Sequence, residues 1–303
     1  MIHFVGAGSG APDLITVRGQ RLLRATDVVI WAGSLVNPEL LEECRPGCEL
    51  HDSARLTLEE VVAIMVAADA AGRDVVRLHT GDPCVYGAIR EQMDELDARG
   101  IAYEVVPGVS SFCGAAAALG AELTLPGVSQ SVILTRLEGR TPMPGGERMA
   151  ELAAHGATMV VFLSAGMLDR LSEELLAGGT YGPDTPAALV YKASWPDERV
   201  VRCTVGTLAA AGRDAGIDRT ALVLVGDVLG ACDSARPHAL AQACGAGAVG
   251  AGDSREDGTG WARGGRAGET RPYGRSRLYD PTFTTGYREA SAPGGQSGER
   301  PEA

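Results

Sequence analysis

The chain has 303 residues, a mass of 31.3 kDa, a formal net charge of −12 and a pI near 4.9. At roughly 150 residues per domain this length predicts two domains, and 45% hydrophobic residues exclude a chain disordered throughout. The acidic balance excludes nucleic-acid binding of the generic kind, which needs clustered positive charge, and no apolar run reaches the ~18 residues of a membrane span.

The charge is unevenly spread. Residues 231–303 hold nine acidic and nine basic residues with fourteen glycines, so the net charge resides in 1–230. That C-terminal stretch is too poor in large apolar residues to offset its ordering entropy, and it reads as a tail rather than a third domain. Met1-Ile-His-Phe-Val-Gly has neither a basic n-region nor an apolar h-region, so no signal peptide is expected. Seven cysteines without a C-x-x-C spacing predict free thiols in a reducing cytoplasm. Cys44, Cys48 and His51 lack a fourth ligand, and no metal is expected.

In chain order, Ile2–Val5 predicts a buried strand entering Gly6-Ala-Gly8-Ser-Gly10, followed by a helix over about 16–25. Asp27–Trp31 predicts a second strand. Thr57-Leu-Glu-Glu60 has the form of a capping box, opening a helix with Leu58, Val61, Val62, Met65 and Val66 on one face. A strand over Asp74–His79 meets Thr80-Gly81-Asp82-Pro83, and a helix is expected from there to about Arg99. Tyr103–Val106 is a strand closed by Pro107-Gly108, with a small-residue helix over Ser110–Leu119. A second set of strands follows at Val132–Thr135, Thr158–Leu163, Ala187–Tyr191, Val200–Thr204 and Ala221–Val225, with a helix around Met167–Leu176. The alternation predicts an α/β protein of two domains, residues 1–112 and 113–230, with mostly parallel sheets.

Three turns carry the candidate chemistry. Gly6-x-Gly8-x-x-Ala11 fits a dinucleotide fingerprint, but the ribose-binding acid is missing where the second strand ends in Ala32-Gly33-Ser34. Thr80-Gly81-Asp82-Pro83 sits past a strand end, where glycine permits close backbone approach and Asp82 could accept from hydroxyl or ammonium groups. Pro107-Gly108-Val109-Ser110-Ser111 places hydroxyls beside a helix N-terminus, with Ser110 a candidate N-cap. No G-x-S-x-G, H-E-x-x-H or Walker A pattern exists, Lys192 being the only lysine. His3 and His79 fall in strands and read as satisfied core or sheet-edge residues. No nucleophile–base pair emerges, and no catalytic residue is assigned.

Taken in order, Val5–Gly19, Thr80-Gly-Asp-Pro, Val105–Ser111 and Val132–Arg136 resemble the tetrapyrrole (corrin/porphyrin) methyltransferases over about residues 1–230. Ala32–Val36, His79–Ile89 and Tyr191–Glu198 resemble those members that methylate C11 of precorrin-4 on the route to cobalamin, and Ser276–Pro281 resembles their C-terminal segment, which implies that 231–275 is a Gly/Arg-rich flexible linker and 276–303 a C-terminal segment and tail. The resemblance implies two α/β domains with the cofactor cleft between them, a homodimer, a small tetrapyrrole substrate, and S-adenosylmethionine as methyl donor with S-adenosylhomocysteine as product. It implies cofactor positions at Ser9, Thr80, Gly81, Asp82, Val85, Ser110, Ser111, Leu163 and Ala193. Ser9 stands where the family usually has Pro, Cys84 where Ser is common, and Leu163 where Met occurs. A substrate rich in carboxylates needs cations, and Arg136, Arg140 and Lys192 are the candidates. Competing readings are methylation at another ring position or of cobalt-precorrin-4, an NAD(P)-dependent oxidoreductase built on the Gly6 loop, and a non-catalytic protein that kept the fold.

Overall fold

The structure, a computed structural model, describes residues 1–33 and 35–231. Ser34, most of the expected 231–275 linker and the 276–303 segment lie outside the described residues.

The first half alternates strand and helix. It comprises β1 (Ile2–Gly6), α1 (Val17–Ala25), β2 (Val28–Trp31), β3 (Glu49–Asp52), α2 (Leu58–Ala70), β4 (Val75–His79), α3 (Ile89–Asp97) and β5 (Tyr103–Val106). The five strands form one parallel sheet in the order β3-β2-β4-β1-β5. Parallel strands need crossovers, and the helices supplying them cover both faces. Ile2, Phe4, Val28 and Ile30 pack with Met65 of α2 and Leu96 of α3, whereas Val5, Val29, Val76 and Leu78 pack with Leu23 of α1. Side chains of opposite parity thus enter different cores, which explains the continuous apolar runs. α2 begins where expected: Thr57 N–H donates to Glu60 Oε2 at 2.8 Å and Glu60 N–H to Thr57 Oγ1 at 3.3 Å.

The second half contains α4 (Ser111–Leu119), β6 (Val132–Arg136), α5 (Met149–Ala153), β7 (Thr158–Phe162), α6 (Leu168–Ala177), β8 (Pro186–Tyr191), β9 (Arg199–Thr204), α7 (Leu208–Asp214) and β10 (Ala221–Val225). Its sheet runs β6-β7-β10-β8-β9. Here the expectation of parallel pairing holds only for β6 with β7; the other three pairs are antiparallel. Residues 192–198 are too few to cross over, so β8 and β9 form a hairpin. Burial on both faces produces the apolar runs whatever the strand direction: Met159, Val161, Leu189 and Val223 face one core, Val160, Val190 and Leu224 the other with Ala115 and Leu119 of α4.

Two local expectations need correction, and one strand had none. The helix after Asp82 starts only at Ile89, because Tyr86 and Ala88 take left-handed φ of 57° and 50°. The edge strand β3 went unread because Glu-Leu-His-Asp is polar and mostly exposed. His3 is satisfied, its Nδ1 lying 2.7 Å from Glu104 Oε1, but His79 is buried with no partner for Nε2. Burial, with the nearby Arg77 charge, pushes the His79 pKa down to about 3.

Candidate active site

Three loops leave the carboxyl ends of β1, β4 and β5 side by side, where open α/β sheets bind ligands. The backbone knits them together. Ala7 N–H donates to His79 O at 2.7 Å, Gly81 N–H to Gly8 O at 2.8 Å, and Gly8 N–H to Gly81 O at 3.3 Å. Gly6 and Gly108 meet each other and the Gly81 carbonyl where no side chain fits. A Cβ on Gly6 would lie 2.5 Å from Gly108 Cα, and one on Gly108 only 2.1 Å from Gly81 O. Asp82 ties the same loops, its Oδ2 accepting from Gly108 N–H at 2.9 Å and its Oδ1 from Cys84 N–H at 2.8 Å.

The second half supplies the facing wall. Phe162 and Leu163 at the end of β7, Val190 of β8, Lys192, Ala193 and Trp195 beyond it, and residues 218–222 leading into β10 enclose a cavity of about 470 Å³. That volume suits a small organic ligand. The halves are joined beside it: Ser9 Oγ lies 2.9 Å from Ser194 Oγ, which also accepts from Ala11 N–H at 3.0 Å, while Ser194 N–H donates to Glu198 Oε2 at 2.6 Å. A smaller hollow of about 300 Å³ between α2 and α3 is reached by no strand-end loop.

The lining is mainly apolar and locally strained. Leu35, Tyr86 and Leu163 are exposed large apolar side chains that all border the cavity, Leu163 at 69%. Tyr86, Leu163 and Lys192 hold φ of 57°, 53° and 46°, a region that costs non-glycine residues of order 1 kcal/mol or more each. The Tyr86 ring rests 5.1 Å from that of Phe162, and burial raises its phenol pKa.

All nine expected cofactor positions, Ser9, Thr80, Gly81, Asp82, Val85, Ser110, Ser111, Leu163 and Ala193, line this one cavity. Ser110 occupies the N-cap position of α4, but its side chain does not cap. The three cationic candidates fare differently. Lys192 lines the cavity, yet its Nζ pairs with Asp197 at 2.7 Å. Arg136 lies outside the lining and donates to the carbonyls of Leu137, Thr141 and Pro142, and Arg140 is exposed outside it as well. Sequence reasoning missed Leu35, Tyr86, Met167, Trp195 and Arg219 on the lining. Tyr86 stands four residues beyond Asp82 in the same turn, a signal that was available; Arg219 carried none. Cys44 remains a thiol at neutral pH, since burial beside Cys48 pushes its pKa up to about 12.

The dinucleotide reading fails on topology. The dinucleotide fold orders its first strands 3-2-1-4-5, whereas β4 here separates β2 from β1. A carboxylate does reach the end of β2, but Asp52 Oδ1 accepts there from the backbone N–H groups of Gly33 and Ala54.

Comparison with known proteins follows the same line. A family model described as tetrapyrrole (corrin/porphyrin) methylases matches residues 1–209. A precorrin-4 C(11)-methyltransferase of Rhodococcus erythropolis is 53% identical over 231 residues, covering 76% of this chain and 92% of the relative. The crystal structure of a cobalt-precorrin-4 methyltransferase of cobalamin biosynthesis superposes with a TM-score of 0.74 at 48% identity, covering 75% of this chain and 95% of that one. A uroporphyrin-III C-methyltransferase from Thermus thermophilus, solved with S-adenosylhomocysteine, superposes with a TM-score of 0.62 at 29% identity, covering 75% and 92%. With more than half of its length matched by the family model, and close relatives aligned over nearly all of theirs, this chain belongs to the tetrapyrrole (corrin/porphyrin) methylases.

Proposed function

We propose that this enzyme transfers a methyl group from S-adenosylmethionine to C11 of precorrin-4, giving precorrin-5 on the route to cobalamin. The observation that carries the reading is 53% identity, over 92% of its length, to a relative named for that reaction. The chain's own cavity fits such a donor: its floor is a glycine junction that lets backbone come close, hydroxyls of Ser9, Thr80, Ser110 and Ser111 border it, and Val85, Leu163 and Ala193 offer apolar contact to a nucleoside.

S-adenosylmethionine supplies an already activated methyl, so no nucleophile is required of the protein. The residues around the cleft hold donor and acceptor in line and exclude water. Such positioning accounts for roughly 7–11 kcal/mol of barrier lowering when reacting atoms are held about 3–3.5 Å apart. The exposed apolar surface of Tyr86 and Leu163 gives the macrocycle a face to lie on, and Lys192 and Arg219, paired with Asp197 and Asp218 in the free protein, are the cations on the lining that can turn to its carboxylates.

A second reading, methylation of cobalt-precorrin-4, is favoured by the relative solved under that name. Calorimetric titration with S-adenosylhomocysteine tests the donor class, with NADH and NADPH as controls. Binding of the homocysteine product alone is expected; nicotinamide binding without it would sink the reading. Turnover with precorrin-4 and cobalt-precorrin-4, with the labelled methyl located by NMR, then decides between substrates. The family resemblance further supports a homodimer, for which light scattering should return twice the 31.3 kDa chain mass.

A further inference from the structure

We propose that the carboxylate of Asp82 is a positioning group that shapes the cofactor floor through Gly108 and does not itself grip the donor. The inference rests on reading the cleft as the S-adenosylmethionine site. Asp82 lies on the cavity lining, where an acid suggests a partner for the ammonium of the donor's amino-acid arm. Its two oxygens are turned elsewhere. Oδ2 receives Gly108 N–H at 2.9 Å and Oδ1 receives Cys84 N–H at 2.8 Å.

Gly108 is where such a clasp has most effect. Packed against the backbone of Gly6 and Gly81, it has no room for a side chain and none with which to anchor itself. Two residues later the chain reaches Ser110 and Ser111, both on the lining, and α4 starts at Ser111 without a side-chain cap from Ser110. A hydrogen bond to a charged acceptor is among the stronger fixings available to a backbone N–H. Asp82 therefore sets how far the 107–111 loop stands from the 80–84 loop, and with it the spacing of the groups that meet the ligand.

Two ligands separate this role from a direct ion pair. S-adenosylhomocysteine carries the amino-acid arm, and 5′-methylthioadenosine lacks it. Under the clasp, Asp82→Ala weakens both by the same factor, about tenfold or more. Asp82→Asn keeps one carbonyl acceptor for Gly108 and loses less, again equally for both. In the ligand-free protein, amide exchange at Gly108 should quicken in Asp82→Ala and less in Asp82→Asn, at conditions where both variants remain folded. Loss of affinity for S-adenosylhomocysteine alone would establish the ion pair and overturn the proposal. So would unchanged exchange at Gly108 in Asp82→Ala. If the native protein binds neither nucleoside, the donor reading fails, and the exchange measurement still decides the clasp.

Discussion

At Gly10 the space a side chain would need is already taken. A Cβ there would lie 2.2 Å from Trp195 Cδ1 and 2.8 Å from Ala193 O, so the first glycine loop rests directly on the second half of the molecule. Gly10→Ala is expected to destabilise by about 1–3 kcal/mol, the usual range for overpacking. In a Trp195→Ala background the cost should shrink, because the indole is the nearer obstacle. Urea unfolding of the four proteins reads this coupling, and equal costs in both backgrounds would refute it. His79 makes the second residue-scale prediction. Its folded pKa of about 3 lies below the ordinary 6.5, so between those values the unfolded chain binds a proton that the folded one does not. This group therefore subtracts stability as pH falls through that window. Between pH 7 and 5 the native protein should lose about 2 kcal/mol more than His79→Leu. Equal losses in denaturant titrations at the two pH values would show that the histidine is not held neutral.

Among the elements, α2 shows local chemistry and tertiary contact in agreement. The Thr57–Glu60 box satisfies two backbone donors, and Val61, Val62 and Met65 face the core. Thr57→Ala should cost about 1 kcal/mol. Its urea midpoint should fall while the slope stays constant, and a changed slope would point instead to altered compactness. β3 teaches the opposite lesson. Glu49 and Leu50 are exposed, and the strand exists because β2 offers it a free edge. Periodicity cannot report a strand whose cause is a neighbour. The helix start at Ile89 is similar: the three residues after Val85 are spent on a turn that sets Tyr86 beside Phe162.

Taken as a whole, the molecule is two sheets meeting at a cleft that residues of both halves line. Binding by the folded form alone should raise the unfolding free energy by about 2.7 kcal/mol at a ligand concentration one hundred times Kd. Thermal unfolding with S-adenosylhomocysteine should therefore move to higher temperature as a single transition. A shift confined to one of two separate transitions would mean that only one half holds the ligand. Ser194→Ala removes the hydroxyl shared by Ser9 and Ala11 across the junction. It should weaken binding although Ser194 is not part of the cavity lining.

Much was legible without coordinates. The strand–helix alternation, the continuous apolar strands, the capping box and the three glycine turns follow from local composition, because burial on two faces and tight turns each leave a residue-level signature. So did the family, since several motifs in order are far more specific than any one. Direction within the second sheet was not legible, because an apolar strand reads alike whichever way its neighbour runs. Nor were the partners of the charged candidates, Lys192 being paired with Asp197 and Arg136 spent on loop carbonyls, nor the place on the lining of Arg219, which arrives from a turn with no motif. Residue type and order along the chain came from the sequence alone. Which charges face the cleft depends on what lies beside them in space, and only the tertiary structure decides that.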